Sequence, residues 1–316
     1  KTASQIAVVS EVLLQAERVS DVAILYSNKI AHLTGSDAYA EVFGHAQQGA
    51  MKLLLDAHIT PQLIDEAWIT AGKLSAFKAL ILPFAYALDE ACIDVISDFV
   101  RAGGCVIADE NLAIKRLDGT CYTMLPGGGL NELFGIEKDD ILYPEHSSRI
   151  PPNRYDIPLG NCIDILLAID AEVVERLGAW PLITRKNYGT GNAWYIAWQA
   201  FAAYNQQGGN VVLRRRICDM LVENNVRPFA GLPGYDDLPF VEISISEMVL
   251  PDSSKIITVT NPGYETRVVE VHLHETRCVQ PLLVNDRSLI QTEPEAEGQR
   301  IKLTLESWQT AMLHVW

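Results

Sequence analysis

The sequence has no C-x-x-C pair, no long apolar run and no histidine between His58 and His146. Its six cysteines (Cys92, Cys105, Cys121, Cys162, Cys218 and Cys278) are scattered, several inside apolar runs. That pattern fits buried thiols in a reducing, cytoplasmic compartment, and it argues against a disulfide framework. Neither a transmembrane span nor a secretory leader is expected from the hydropathy pattern. Basic residues are scarce: Lys and Arg number 25 against 40 Asp and Glu, a net charge of -15. Phosphate recognition needs clustered cations, so no nucleic-acid partner and no membrane-surface role is expected. The same charge does not repel a neutral ligand such as a sugar.

What is present is an ordinary globular composition, 48% hydrophobic and 21% charged over 316 residues, enough to bury two cores. The segment 78–111, KALILPFAYALDEACIDVISDFVRAGGCVIADEN, organises the first half. Ala79 to Leu82 is an unbroken apolar run, as in a strand buried on both faces of a parallel sheet. Apolar residues at Cys92, Val95, Ile96, Phe99 and Val100 then recur at helical spacing. Gly103-Gly104 follows the helix end, and Cys105 to Ala108 is a second apolar run. Such a βαβ unit places the loop after each strand on the carboxyl edge of the sheet, where open α/β sheets keep their sites.

The rest of the α/β pattern surrounds this unit. A helix is expected over 5–19, strands over 22–26 and 60–64, and a helix over 41–57. From residue 112 the pattern loosens, with a glycine run at 127–129, a short helix, and an irregular stretch over 141–160. Four further strands (163–167, 172–177, 182–186, 193–197) and a helix over 211–224 complete the layer. A Pro- and Gly-rich linker spans 228–238. Beyond it, segments such as KIITVTN, RVVEVHLHE, RIKLTL and TAMLHVW alternate in polarity, the pattern of a small antiparallel β-sandwich. The expected fold class is α/β, a doubly wound flavodoxin- or amidotransferase-like parallel sheet followed by that sandwich. The expected division is 1–20 as a lead-in helix from an upstream domain, 21–227 as the α/β domain, 228–238 as linker and 239–316 as sandwich.

Few residues promise chemistry. Gly127-Gly128-Gly129 lacks phosphate-loop spacing and reads as a loop of unusual backbone angles. His272, His274 and His314 could meet on strands, but without carboxylate or thiolate ligands at convincing spacing; no metal and no cofactor is expected. A nucleophile belongs on a sharp turn after a buried strand, with a histidine as base. After Cys105 to Ala108 that turn carries Asp109-Glu110, and adjacent loop acids are usually solvated. Glycosidase chemistry needs two carboxyls facing each other across a pocket, which adjacency does not supply. Ligand or interface candidates are therefore Phe84, Tyr86, Asp109 and Glu110 on the carboxyl edge, with Trp194 and Trp198 as an aromatic edge for a sugar or a neighbouring subunit. No catalytic residue is assigned.

The order VAILYS, FKALILPFAYALDEACIDVISDFVRAGGCVIADEN, PGGGLNELFGIEKDD and YGTGNAWYIAW resembles the middle region of family-42 glycoside hydrolases. In those bacterial β-galactosidases it is the trimerisation domain, similar in fold to class I glutamine amidotransferases. The likeness spans residues 22–225, and the sandwich resembles their small C-terminal domain. It implies a homo-oligomer, a trimer, and a non-catalytic role within an enzyme of carbohydrate metabolism. The family's catalytic glutamates belong to a (β/α) barrel that these residues do not contain, and the chain opens on Lys1, so it is expected to be either a piece of a longer enzyme or a natural barrel-less relative, inactive alone. Two alternatives are a stand-alone amidotransferase-like hydrolase using Cys105 or Glu110, and a sugar-binding module using Trp194 and Trp198.

Overall fold

The computed structural model describes residues 9–35, 39–143, 154–155, 162–228, 230–233, 238, 243–275, 277–283, 290–295 and 298–316. The chain divides into two compact units: one combines residues 21–53 with 61–226, the other 1–20, 54–60 and 227–316. Most of the stretch 141–160 and much of the linker lie outside the described residues.

The first unit is built on a seven-stranded sheet. Strands β1 (Val22–Leu25), β2 (Gln62–Ile64), β3 (Ala79–Leu82), β4 (Cys105–Ala108), β7 (Glu172–Leu177), β8 (Trp180–Tyr188) and β9 (Gly191–Ile196) take the order β2-β1-β3-β4-β9-β8-β7. The apolar runs behave as their composition dictates. Every residue of β1, β3 and β4 is buried, because helices or loops cover both faces.

The parallel layer extends over β2-β1-β3-β4-β9, and the remaining strands differ from an all-parallel sheet: β8 and β7 run antiparallel. Chain length decides this, since β8 and β9 are joined only through Gly189-Thr190, with Tyr188 paired to Gly191. A two-residue hairpin can join only antiparallel neighbours. A separate ribbon, β5 (Ile136–Leu142) with β6 (Ile163–Ala168), is also antiparallel.

Helices α1 (Asn28–Thr34), α2 (Tyr39–Asp56), α3 (Glu66–Thr70), α4 (Glu90–Arg101), α5 (Leu130–Phe134), α6 (Ala200–Gln206) and α7 (Val211–Val222) complete this unit and its borders. Three of them, α1, α3 and α6, replace what the sequence pattern leaves as loop. Helices α1 and α3 are each started by a side-chain cap: the Ser27 hydroxyl accepts from Ile30 N, and the Asp65 carboxylate accepts from Trp68 N. The acids Asp65 and Glu66 are thereby accounted for structurally, since Glu66 also accepts a hydrogen bond from Ser27. Helix α4 buries Cys92, Ile93, Ile96 and Val100 and stops where Gly103 adopts a left-handed φ of 115°.

The second unit holds two four-stranded sheets. Strands β10 (Ala230–Gly231), β13 (Arg267–Leu273), β16 (Gly298–Leu305) and β15 (Ile290–Glu295) form one; β11 (Ser244–Val249), β12 (Lys255–Asn261), β17 (Gln309–Val315) and β14 (Val279–Leu283) form the other. Alternate residues, among them Ile257, Val259, Val269, Val271, Ile301, Leu303, Ala311 and Leu313, make a single apolar core, as a half-buried strand pattern requires. Residues 9–13 are helical, and Glu17 bridges Val249. The three histidines do not converge: His272 lies 3.1 Å from Glu295, His314 contacts Ser254 at 2.8 Å on the other sheet, and His274 is exposed.

Candidate functional site: a buried polar cluster at the carboxyl edge

At the carboxyl ends of β3, β4 and β9 the loops close over a set of polar side chains instead of leaving a cleft. Asp109 and Glu110 are 1% and 0% exposed, against the expectation that adjacent loop acids are solvated. The reason is position. They follow a four-residue strand in the middle of the sheet, where the segment after β9 and the β5–β6 ribbon cover them.

Asp109 binds two backbone segments together. Its Oδ1 accepts from Phe84 N at 2.7 Å and its Oδ2 from Phe201 N at 3.2 Å. Phe84 sits at φ 47°, a left-handed conformation that a bulky side chain adopts only when its surroundings over-determine it. The bond to Asp109 is one such constraint, and the ring is another, stacked on Tyr86 with centroids 5.8 Å apart and touching Tyr39. Burial drives the Asp109 carboxyl up to about 7, despite the opposing backbone bonds and with Asp164 adding to the rise.

Glu110 faces Cys162, whose Sγ donates to Oε1 at 2.9 Å, while Gln199 Nε2 approaches the sulfur at 3.1 Å. The other oxygen, Oε2, is buried without a protein partner, and so is Asn111 Nδ2. Burial, then the neighbouring Asp164, holds the Glu110 carboxyl well above the usual carboxylate range, with Lys138 and the Cys162 thiol opposing. The Cys162 thiol is likewise pushed up, first by burial and then by Glu110. A thiol kept protonated is a poor nucleophile.

The ionic centre is Asp164. Lys138 Nζ lies 2.5 Å from its Oδ1, and its Oδ2 accepts from the Tyr195 hydroxyl and from Asn111 N at 3.3 Å. Lys138 also donates to Asn111 Oδ1 at 2.7 Å. The contact of Lys138 with Asp164 and the raised pKa values of Asp109 and Glu110 limit the unpaired charge the cluster buries, which is what makes its burial tolerable.

The six candidate residues thus fall into two groups. Phe84, Tyr86, Asp109 and Glu110 do come together, as the inner wall of this cluster; Tyr86 is 7% exposed. Trp194 and Trp198 are 2% and 1% exposed, so neither offers a ring face to solvent. Trp194 donates to Asn192 Oδ1 at 3.0 Å beneath the Arg185 and Arg216 guanidiniums, and Trp198 packs on Tyr155. Sequence reasoning missed Lys138, Cys162, Asp164 and Gln199. Nothing local marks them, because their partners in the cluster lie tens of residues away in sequence. Cys105, a candidate thiol nucleophile, is buried within β4, and burial raises its pKa. Among the described residues no group of three or more His, Cys, Asp or Glu is arranged to hold a metal ion.

Gly127-Gly128-Gly129 serves packing. The Tyr122 ring lies where a Cβ on Gly127 would stand, and left-handed Gly129 starts the five-residue helix α5.

These features define a class: a doubly wound α/β domain whose chemical edge is filled by its own side chains, followed by an antiparallel β-sandwich. The chain belongs to the β-galactosidase trimerisation domain family, whose model matches residues 20–223. β-Galactosidase LacA of Lactobacillus acidophilus is 25% identical over 129 residues, 39% of this chain and 19% of its own length. The β-galactosidase of Bacillus circulans sp. alkalophilus superposes with a TM-score of 0.68 at 18% identity, over 99% of this chain and 44% of that one. An α-L-fucosidase, isoenzyme 2 from Paenibacillus thiaminolyticus, gives 0.63 at 16% identity, over 99% and 51%. At such identities the likeness to solved structures shows the fold alone. The chain spans about a fifth of the curated relatives it matches. Among the described residues no sheet closes into a (β/α) barrel, and no helix is long and apolar enough to cross a membrane.

Proposed function

We propose that this chain is the homotrimer-forming part of a β-galactosidase-like glycoside hydrolase, acting on carbohydrate only together with a catalytic barrel and inactive without one. The observation that carries the reading is the filled carboxyl edge. Asp109, Glu110 and Asp164 are committed to backbone, thiol, lysine and tyrosine partners inside the domain, which suits a rigid scaffold and leaves none of these three acids exposed. The family's own description as a trimerisation domain supports the assembly role. In this reading Phe84, Tyr86, Asp109 and Glu110 act indirectly, by fixing the loops that a neighbouring subunit meets. The α-L-fucosidase of similar fold indicates that the fold does not dictate the sugar. A cytoplasmic location is part of the same proposal, and it agrees with the free cysteines.

The test is to assay the purified chain on chromogenic β-galactosides. Background-level hydrolysis is expected; turnover at an ordinary glycosidase rate, on the order of 10 per second, would overturn the proposal.

A further inference from the structure

The unit built on the sandwich carries an exposed aromatic pair that the core does not use. Tyr264, in the turn between β12 and β13, is 85% exposed; Trp308, in the turn between β16 and β17, is 63% exposed. Their rings meet edge to face, with centroids 5.5 Å apart and planes at 83°. Two large aromatics exposed in contact with each other form a contiguous apolar patch, the kind of surface feature that marks interaction sites.

Their presentation is built in. Trp308 sits at φ 58°, strain for a bulky side chain, and its N–H donates to Gly263 O at 3.3 Å, so the two turns are tied directly. Beneath them Asn261, 0% exposed, ties them a second time. Its Nδ2 donates to Glu265 O at 2.8 Å, Leu305 O at 3.1 Å and Glu306 O at 3.0 Å, and its Oδ1 accepts from Gly263 N at 3.1 Å. Gln309 closes the second turn by accepting from Glu306 N at 2.7 Å. The two turns that carry the rings are thus tied together before anything binds, which lowers the ordering cost of binding.

We propose that this tip is a binding platform for the pyranose ring of a neutral oligosaccharide. Size favours a small ligand, because two aromatic side chains offer at most a few hundred Å² and a stable protein interface covers about 800 Å² per partner. The surroundings are mostly hydrophilic: Glu265, Thr266, Glu306 and Ser307 are all exposed. The two carboxylates repel anions but accept hydrogen bonds from sugar hydroxyls, while an aromatic face takes the C–H face of the ring. The edge-to-face contact also leaves no gap between the rings for a caged cation. This site is distinct from the assembly reading and stands or falls separately.

The experiment is calorimetry on the whole chain with lactose and cellotetraose as probes and choline as the cationic control. It is accompanied by ¹⁹F NMR of 5-fluorotryptophan-labelled protein to locate any effect among its six tryptophans. Expected is a saturable heat with a Kd on the order of 1 mM and a shift of the Trp308 signal. Trp308→Ala and Tyr264→Ala should weaken binding at least about tenfold, and Trp308→Phe should retain most of it, with melting curves confirming that each variant folds. Absence of saturable heat at about 50 mM saccharide would overturn the proposal, as would undiminished binding by Trp308→Ala or equal binding of choline. Protection of both rings by another part of a longer natural chain would overturn it too.

Discussion

Lys138 on β5 and Asp164 on β6 stand 2.5 Å apart on the same two-stranded ribbon, with side chains only 6% and 0% exposed. A fully buried ion pair has given up its hydration, so each member depends on the other. Removing one leaves an uncompensated charge, which typically costs 3–5 kcal/mol, roughly half the stability of an ordinary domain. Lys138→Met and Asp164→Asn should each lower the urea midpoint strongly. The double variant Lys138→Met/Asp164→Asn should recover part of the loss, because it removes both charges while the amide oxygen still accepts from Tyr195 and Asn111 N. Additive losses in the double variant would show that the two residues act independently.

Asp109 gives a pH dependence of definite sign. Its folded-state value of about 7 lies above its ordinary 3.8, so between these limits the native chain holds a proton that the unfolded chain has released. Stability contributed by this group is therefore greatest below about pH 4, falls as pH rises toward about 7, and is flat beyond. A shift of that size is worth roughly 4 kcal/mol at most. Asp109→Asn, which keeps an acceptor for Phe84 N, should flatten the slope across this window in urea titrations at several pH values. An unchanged slope would mean that Asp109 is ionised in the native fold.

Two glycines of the same helix should respond oppositely. A Cβ on Gly49 would stand 1.7 Å from the backbone oxygen of Phe201, where α2 packs against α6, and backbone cannot move aside cheaply. Gly49→Ala should cost about 2–4 kcal/mol. At Gly44 nothing lies within 4 Å of the added carbon, so Gly44→Ala should stabilise by about 0.5–1 kcal/mol through helix propensity. Thermal melts of the two variants decide, and a Gly49→Ala variant as stable as the parent would contradict the close helix approach.

The cysteines make a chemical prediction. Alkylation by iodoacetamide in the native state should reach exposed Cys121 and Cys278 first, while Cys92, Cys105 and Cys162 react only on unfolding. Burial both hides these three thiols and raises their pKa values, to about 11 for Cys92. Rapid native labelling of Cys162, read by peptide mass spectrometry, would reopen the thiol-nucleophile alternative.

Much of the fold was legible where a local signal exists. The four-residue apolar runs of β3 and β4, the helical spacing of α4 and the alternation of β12, β13, β16 and β17 each correspond to an observed element. The misses have physical causes. Helices α1 and α3 are short, and they are set by caps at Ser27 and Asp65 more than by an apolar stripe. Strand β5, with the sequence IEKDDIL, is polar and exists through pairing with β6 across an intervening excursion. The site was half legible. Asp109 and Glu110 could be placed on the carboxyl edge by counting from β4, but their burial depends on Lys138, Cys162, Asp164 and Gln199, which only the tertiary fold delivers. Trp194 and Trp198 show the limit from the other side: an aromatic-rich strand reads alike whether its rings face solvent or the core.

Self-assembly is the central claim, and the mass of the purified chain in solution tests it most directly. Sedimentation velocity or light scattering at micromolar concentration should return three times the chain mass of 35.0 kDa. A species of 35.0 kDa persisting up to about 100 μM would contradict it, because mass action at that concentration populates any contact tight enough to organise an enzyme.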